Sequence, residues 1–216
     1  MRKHRLDKVF EPKSVAVIGA SSRPLSVGGQ VLGMLIESDF QGELYLVNPK
    51  HEAIRGLPCY PSVSAIGKAL DLVVIAVPAE AVAGIMRECG NQGVGAAIII
   101  SAGFGEAGPE GQVLQDEIVE IARSHNIALV GPNCLGVVRP RVGLNASFAR
   151  SRVSNGHVAM VAQSGSFCSA LLDWADARDF GFSAFASLGA TADVDFGEVL
   201  DYLGLDQYSK IILDYS

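Results

Sequence analysis

The chain has 216 residues, of which 49% are hydrophobic and 19% are charged, and its formal net charge is −6 at pH 7. This composition excludes a disordered protein, because the chain has enough apolar residues to bury a sizeable core. It argues against a nucleic-acid partner, since Lys and Arg are not clustered, and no apolar run reaches the roughly 20 residues of a membrane helix or resembles a secretory signal. We therefore predict a cytoplasmic protein with neither a nucleic acid nor a membrane as partner.

Residues 1–12 are charged and predict a short helix or arm that leads into a first strand, Ser14–Ile18. This strand is rich in apolar residues, as a buried parallel strand requires. It ends in Gly19-Ala20-Ser21-Ser22, and a helix is predicted from about Val27. Small residues between a strand and a helix let phosphate groups approach backbone N–H groups and the helix N-terminus. The stretch predicts a phosphate-binding turn that lacks the G-x-G-x-x-G fingerprint, and an ordinary strand-to-helix turn is the alternative.

Four further apolar runs predict strands, over residues 43–47, 72–77, 96–101 and 128–130. Three segments with apolar residues every three or four positions predict helices, over residues 27–38, 79–92 and 109–126. This alternation predicts a mainly parallel sheet, whose strands all end at the edge where a ligand would lie. Small residues, prolines and one lysine follow these strands, in the order Gly19-Ala20-Ser21-Ser22, Asn48-Pro49-Lys50, Pro78-Ala79, Ala102-Gly103-Phe104-Gly105 and Gly131-Pro132-Asn133-Cys134.

The segment Asn48-Pro49-Lys50 distinguishes between possible ligands. A typical NAD site has an acidic residue near the end of the second strand, which binds the ribose hydroxyls. Here no carboxylate occupies that place, and Lys50, with His51 and Arg55 nearby, carries positive charge. A cation favours a phosphorylated ribose, as in NADP or the 3′-phospho-ADP part of coenzyme A (CoA). A solvated loop lysine is the alternative.

Residues 139–155 are rich in Arg, Ser, Gly and Asn and predict a linker or a strand extension. A second α/β pattern follows, with strands over 157–162, 182–188 and 210–215 and helices over 164–179 and 196–205. It amounts to half of a doubly wound domain, which predicts a truncated domain or one completed by a partner or a second copy. Gln163-Ser164-Gly165-Ser166 is a second possible anion site at a helix N-terminus, with a plain serine N-cap as the alternative.

In this order the segments resemble the NDP-forming acyl-CoA synthetase superfamily, which contains the ADP-forming acetyl-CoA synthetases and the succinyl-CoA synthetase α subunit. The resemblance covers nearly the whole chain and rests on the order and spacing of short motifs, namely residues 12–21, 47–50, 77–79, 100–104, 131–136, 144–148, 163–166 and 193–196. Residues 144–148, 172–175 and 200–203 also resemble the synthetase-like region of Pat-type bacterial protein lysine acetyltransferases.

The resemblance implies a Rossmann-like parallel-sheet CoA-binding domain over residues 1–150, followed by the first half of a flavodoxin-like α/β domain over residues 151–216. It also implies that CoA or acyl-CoA lies along the strand ends. The phosphates would meet Gly19, Ala20, Ser21, Ser22 and Arg23, and the phosphorylated ribose would meet Lys50. Three further groups would line the nucleotide slot, the pantetheine arm and the thioester end, respectively Val77, Pro78 and Ala79; Ile100, Ser101 and Ala102; and Gly131, Pro132, Asn133 and Cys134.

Complete synthetases of this superfamily also use ADP or ATP and Mg, and they transfer phosphate through a histidine for which this chain has no match. We therefore expect no catalytic residue, no turnover by this chain alone, and a β subunit or a fused ATP-grasp domain as partner. One alternative is an acyl-CoA-sensing region fused to a GNAT acetyltransferase domain. A NADP-binding oxidoreductase domain is another. Cys59, Cys89, Cys134 and Cys168 are too widely separated to predict a metal site or a disulfide framework.

Overall fold

The computed structural model describes residues 4–216, and its strands form two sheets. The first sheet has the order β3-β4-β2-β1-β5-β6-β7, with β1 Ser14–Ile18, β2 Glu43–Val47, β3 Ala53–Ile54, β4 Leu57–Tyr60, β5 Leu72–Ile75, β6 Ala96–Ile99 and β7 Ala128–Val130. The second has the order β12-β10-β11-β8-β9, with β8 Gly136–Arg139, β9 Leu144–Ser147, β10 Asn155–Ala162, β11 Phe182–Ser187 and β12 Ile211–Tyr215.

Within residues 4–216, α1 Asp7–Phe10 precedes the first strand, and five further α-helices connect strands, α2 Val27–Glu37, α3 Ala79–Asn91, α4 Pro109–Ser124, α5 Gly165–Asp176 and α6 Phe196–Gly204. The side chains of Ser26, Ser164 and Asp195 cap α2, α5 and α6 by accepting hydrogen bonds from backbone N–H groups of the first turns. The predicted N-terminal arm includes α1, and its first three residues lie outside the described part of the chain. No helix within residues 4–216 has the length and apolar character needed to span a bilayer.

Five strands of the first sheet, β2, β1, β5, β6 and β7, pair in parallel in that order, which confirms the predicted α/β fold. Every residue of β1, β5, β6 and β7 is buried, because helices cover both faces of the sheet. All five strands end at one edge. Residues that are far apart in the sequence therefore meet there.

Two pairs of strands differ from the sequence-based expectation. β3 and β4 form a short antiparallel hairpin around Arg55 and Gly56, and β4 adds to the sheet beside β2. The segment 139–155, predicted to be a linker or a strand extension, supplies the separate strand β9, which pairs with β8, and β8 pairs antiparallel with β11. The second sheet thus includes two strands that precede residue 150, and the division of the chain at that residue stays a prediction.

Main-chain hydrogen bonds join the two sheets in what we call the inter-sheet seam, formed by residues 190–194 and 129–132. The N–H groups of Ala190, Ala192 and Val194 donate to the carbonyls of Pro132, Gly131 and Leu129, over 2.9, 3.2 and 3.1 Å. Within the second sheet's own unit, the buried guanidinium of Arg139 at the end of β8 donates to both carboxylate oxygens of Asp206, between α6 and β12, each over 2.9 Å. Although burial by itself raises the pKa of Asp206, the hydrogen bonds from Arg139 and Ser209 hold it below its ordinary value.

Candidate functional site

A cleft of about 1710 Å³ runs along the ends of the parallel strands, and we call it the strand-exit cleft. One wall consists of the segments that follow β1, β2, β5 and β6, together with residues 61–63 after β4. The other wall comes from the second sheet, from the start of α5 and from Gly189 and Ala190. The cleft therefore lies between the two sheets, where parallel α/β folds commonly bind their ligands.

The turn after β1 requires glycine at its first position. Gly19 has a φ of +86°, and a Cβ there would lie 2.4 Å from the carbonyl oxygen of Ala76. The backbone of β1 therefore passes directly against the exit of β5. Within residues 4–216, the N–H groups of Ser21 and Ser22 donate to no protein group, so both remain available to a ligand.

Asn48 connects three of the segments that line or support the first wall. Its Nδ2 donates to the carbonyl of Ala20 over 2.8 Å, and its Oδ1 accepts from the N–H of Lys50 over 2.9 Å. Its own N–H donates to the carbonyl of Tyr60 over 2.9 Å. The turn after β1, the turn after β2 and the end of β4 are thus held together by one residue.

Three basic residues, Arg23, Lys50 and His51, line the cleft near this junction, and all three are exposed. None of the ion pairs within residues 4–216 involves any of them. Arg55, by contrast, lies beside α2, where a side chain at Gly33 would come within 3.5 Å of its guanidinium. This end of the cleft can therefore attract an anionic ligand.

The two acidic residues in the cleft are both hydrogen-bonded to backbone groups. Glu88 accepts from the N–H and the hydroxyl of Ser64 over 2.9 and 2.7 Å. Burial by itself raises the pKa of Glu88, but the hydrogen bonds from Ser64 lower it below its ordinary value. Glu106 accepts from the N–H of Gly103 over 2.6 Å. Neither carboxylate neutralises the basic residues.

The middle of the cleft is lined by the residues that follow β5 and β6. Val77 and Pro78 follow β5, Ile100, Ser101 and Ala102 follow β6, and the hydroxyl of Ser101 donates to the carbonyl of Val77. The N–H of Asn133 donates to the carbonyl of Ser101 over 3.0 Å, which holds the segment after β7 beside the segment after β6.

The far end of the cleft is apolar and includes Cys134, Leu135 and Phe148. The Cys134 thiol donates to the carbonyl of Ile99 over 3.3 Å, and burial raises its pKa to about 12. It therefore stays protonated and is not an activated nucleophile at neutral pH. Phe104, in the segment that follows β6, is completely buried in the core and does not line the cleft.

In the second wall, the N-terminus of α5 faces the end of the cleft that includes Cys134. Ser164 accepts from the N–H of Phe167 over 3.3 Å, and Gln163, Gly165 and Ser166 line the cleft around it. The sequence pointed to this turn as an anion site, and its capping serine is present. Within residues 4–216, no three His, Cys, Asp or Glu side chains are grouped so that they could hold a metal ion.

Most of the predicted site residues line the strand-exit cleft, namely Gly19, Ser21, Ser22, Arg23, Lys50, Val77, Pro78, Ile100, Ser101, Ala102, Asn133 and Cys134. Four others, Ala20, Ala79, Gly131 and Pro132, are buried behind it. Sequence reasoning missed the wall formed by residues 61–63, Ala81, Ile85 and Glu88. No apolar strand leads directly into these residues, so the rule used to find strand exits could not select them.

Two family profiles match the chain in succession. The family described as "CoA binding domain" matches residues 13–140, and the family described as "Succinyl-CoA ligase like flavodoxin domain" matches residues 155–216.

The chain is 44% identical over 210 residues to ADP-forming acetate–CoA ligase I of Archaeoglobus fulgidus, an alignment that covers 97% of this chain and 30% of that protein. It is 40% identical over 214 residues to subunit alpha of ADP-forming acetate–CoA ligase I of Pyrococcus furiosus, covering 97% of this chain and 46% of that subunit. The structure of dinucleotide forming acetyl-coenzyme A synthetase 1 from Ca. Korarchaeum cryptofilum, in complex with phosphate and ADP, superposes with a TM-score of 0.93 at 36% identity, over 98% of this chain and 45% of that one. The chain thus spans less than half the length of these relatives.

Proposed function

The chain belongs to the NDP-forming acyl-CoA synthetase superfamily, through its CoA-binding and succinyl-CoA ligase-like domains, and on that basis we propose that the strand-exit cleft binds CoA and acyl-CoA. The observation that carries the proposal is the pair of cations Arg23 and Lys50, which form no ion pair within residues 4–216, beside N–H groups of Ser21 and Ser22 that donate to no group in that part of the chain. Phosphates are held by such N–H groups and by cations that have no other partner.

The cleft suits each part of CoA in turn. Residues 19–23 surround the diphosphate, and the Lys50 ammonium meets the 3′-phosphate of the ribose. Val77 and Pro78 line the nucleotide slot, and the channel beside Ser101 takes the pantetheine arm. The segment 131–134 lies at the thioester end.

The reaction of the whole protein is part of the same proposal. A complete synthetase would convert acyl-CoA, ADP and phosphate into the acid, CoA and ATP, through an acyl phosphate and a phosphohistidine. This chain supplies the CoA-binding part. An ATP-grasp region binds the nucleotide, either as a β subunit or fused to the same chain. The subunit alpha relatives support such a division of labour, and a cytoplasmic location stays a prediction.

Isothermal titration of the chain with CoA, dephospho-CoA and NADP⁺ tests the proposal. We expect saturable binding of CoA, binding of dephospho-CoA that is about tenfold weaker or more, and no comparable binding of NADP⁺. Absence of CoA binding would refute the proposal. Tight NADP⁺ binding would instead support an oxidoreductase domain.

A further inference from the structure

Asn48 occupies the junction between the two parts of the strand-exit cleft to which we assign phosphate binding. It is half-buried, and both ends of its amide are used, by Ala20 on one side and by Lys50 on the other. Its oxygen and nitrogen thus lie on opposite sides of a single short side chain. An asparagine amide offers a donor and an acceptor on two separate atoms at a short reach from the backbone.

The bond to Ala20 fixes the direction of a backbone N–H group. Carbonyl and N–H point in opposite directions across a trans peptide, so holding the Ala20 carbonyl towards Asn48 directs the Ser21 N–H away from it. Ser21 is nine-tenths buried and lines the cleft, which leaves its N–H little freedom to reorient.

The bond to Lys50 fixes the start of that lysine's side chain. The Asn48 carboxamide closes a turn around Pro49 by accepting from the Lys50 N–H, as Asn side chains do when they stabilise turns. The long Lys50 side chain therefore begins from a defined position, although its ammonium is exposed. One amide thus sets the separation between the Ser21 N–H and the base of the Lys50 side chain.

We propose that Asn48 is a positioning residue that holds the Gly19–Arg23 turn and Lys50 at the spacing of the two phosphate groups of CoA, and so creates the preference for the 3′-phosphate. This inference rests on the proposed function. It is specific to the side chain, because the backbone bonds from Asn48 to Tyr60 and from His51 to Asn48 do not need it. Replacing the side chain therefore leaves the junction of β2 and β4 in place.

The test compares wild type, N48A and N48D by titration with CoA and with dephospho-CoA. For N48A we expect CoA affinity to fall about tenfold and dephospho-CoA affinity about threefold or less, so that the ratio between the ligands shrinks. N48D keeps the acceptor for Lys50 but loses the donor for Ala20 and adds a negative charge. The CoA affinity of N48D should fall at least as far as that of N48A. If N48A does not fold, N48D is compared with wild type in its place.

Two controls separate positioning from general damage. N91A removes an exposed asparagine at the end of α3 and should leave both affinities unchanged. In a K50M background, N48A should no longer alter the ratio between the ligands, because the cation it positions is absent.

If N48A lowered the affinities for CoA and dephospho-CoA by the same factor, their ratio would be unchanged. That result would overturn the positioning role and leave the proposal of CoA binding intact. Failure of wild type to bind CoA would overturn the proposed function itself. The two failures are therefore distinguishable within one set of titrations.

Discussion

Among single residues, Lys50 supports the most specific prediction, because it lines the cleft and forms no ion pair within residues 4–216. We expect K50M to weaken CoA binding about tenfold or more and to leave dephospho-CoA binding within a factor of two, since only CoA carries the phosphate that Lys50 contacts. Titration calorimetry at low and moderate salt measures both, and the wild-type preference should decrease as salt screens the charge.

The matched control for this substitution is K13M. Lys13 is equally exposed but lies before β1, at the opposite edge of the sheet from the cleft. K13M removes the same charge from the molecule as K50M. An equal loss of CoA affinity in K13M would therefore mean that net charge, rather than the position of Lys50, determines binding.

Within the elements, the turn between β1 and α2 tolerates the least change. G19A places a methyl group 2.4 Å from the Ala76 carbonyl in a left-handed backbone conformation, and we expect it to lower the free energy of unfolding by about 3 kcal/mol. In G84A, on the exposed side of α3, the new methyl group meets no atom within 4 Å. That change should instead raise stability by about 0.5–1 kcal/mol. Urea denaturation compares the two, and a neutral G19A would contradict the close approach of the strands.

The elements also show where sequence reasoning succeeds and where it fails. β1, β5, β6 and β7 are fully buried, so each is a continuous apolar run that local pattern detects. β3 has two residues and β4 contains Pro58, so neither shows a periodic pattern. β8 pairs with a strand more than 40 residues away, and no local feature encodes that partner.

The same distinction applies to the candidate site. Lys50 and Gly19 could be found because they directly follow apolar strands. Ile85 and Glu88 reach the cleft from the side of α3, and Ser62 reaches it after the β3–β4 hairpin. Their place depends on how the hairpin and the helix pack, which is a tertiary property. The sequence shows Asn48 as part of the Asn48-Pro49-Lys50 segment. Its hydrogen bonds to Ala20 and Lys50 could be recognised only once the positions of those residues were known.

For the whole molecule, buried thiols determine how stability responds to alkaline pH. Burial raises the pKa of Cys89 and Cys134 to about 12 and that of Cys168 to about 11. In the unfolded chain these thiols ionise near pH 8.5, so above that pH the unfolded state binds fewer protons than the folded state. The contribution of these thiols to the free energy of unfolding should therefore be constant below about pH 8, and it should make stability fall as pH rises from about 9 towards 11.

Urea denaturation between pH 7 and 10.5 measures this dependence. The C89A variant provides the comparison, because it removes one of the buried thiols. Its stability at pH 7 will be lower or similar, but its decline above pH 9 should be shallower than that of wild type. Parallel declines would show that Cys89 ionises equally in both states.

The inter-sheet seam has a practical consequence for protein engineering. Because Ala190, Ala192 and Val194 bond to residues 129–132, and because β8 pairs with β11, a fragment that ends at residue 150 would lack contacts that hold the second wall of the strand-exit cleft against the first. A chimera that carries only residues 1–150 would contain β8 and β9 without the rest of their sheet. It would also lack one wall of the strand-exit cleft. Fusion proteins designed to contain the strand-exit cleft must include the chain through at least β11 and the loop after it.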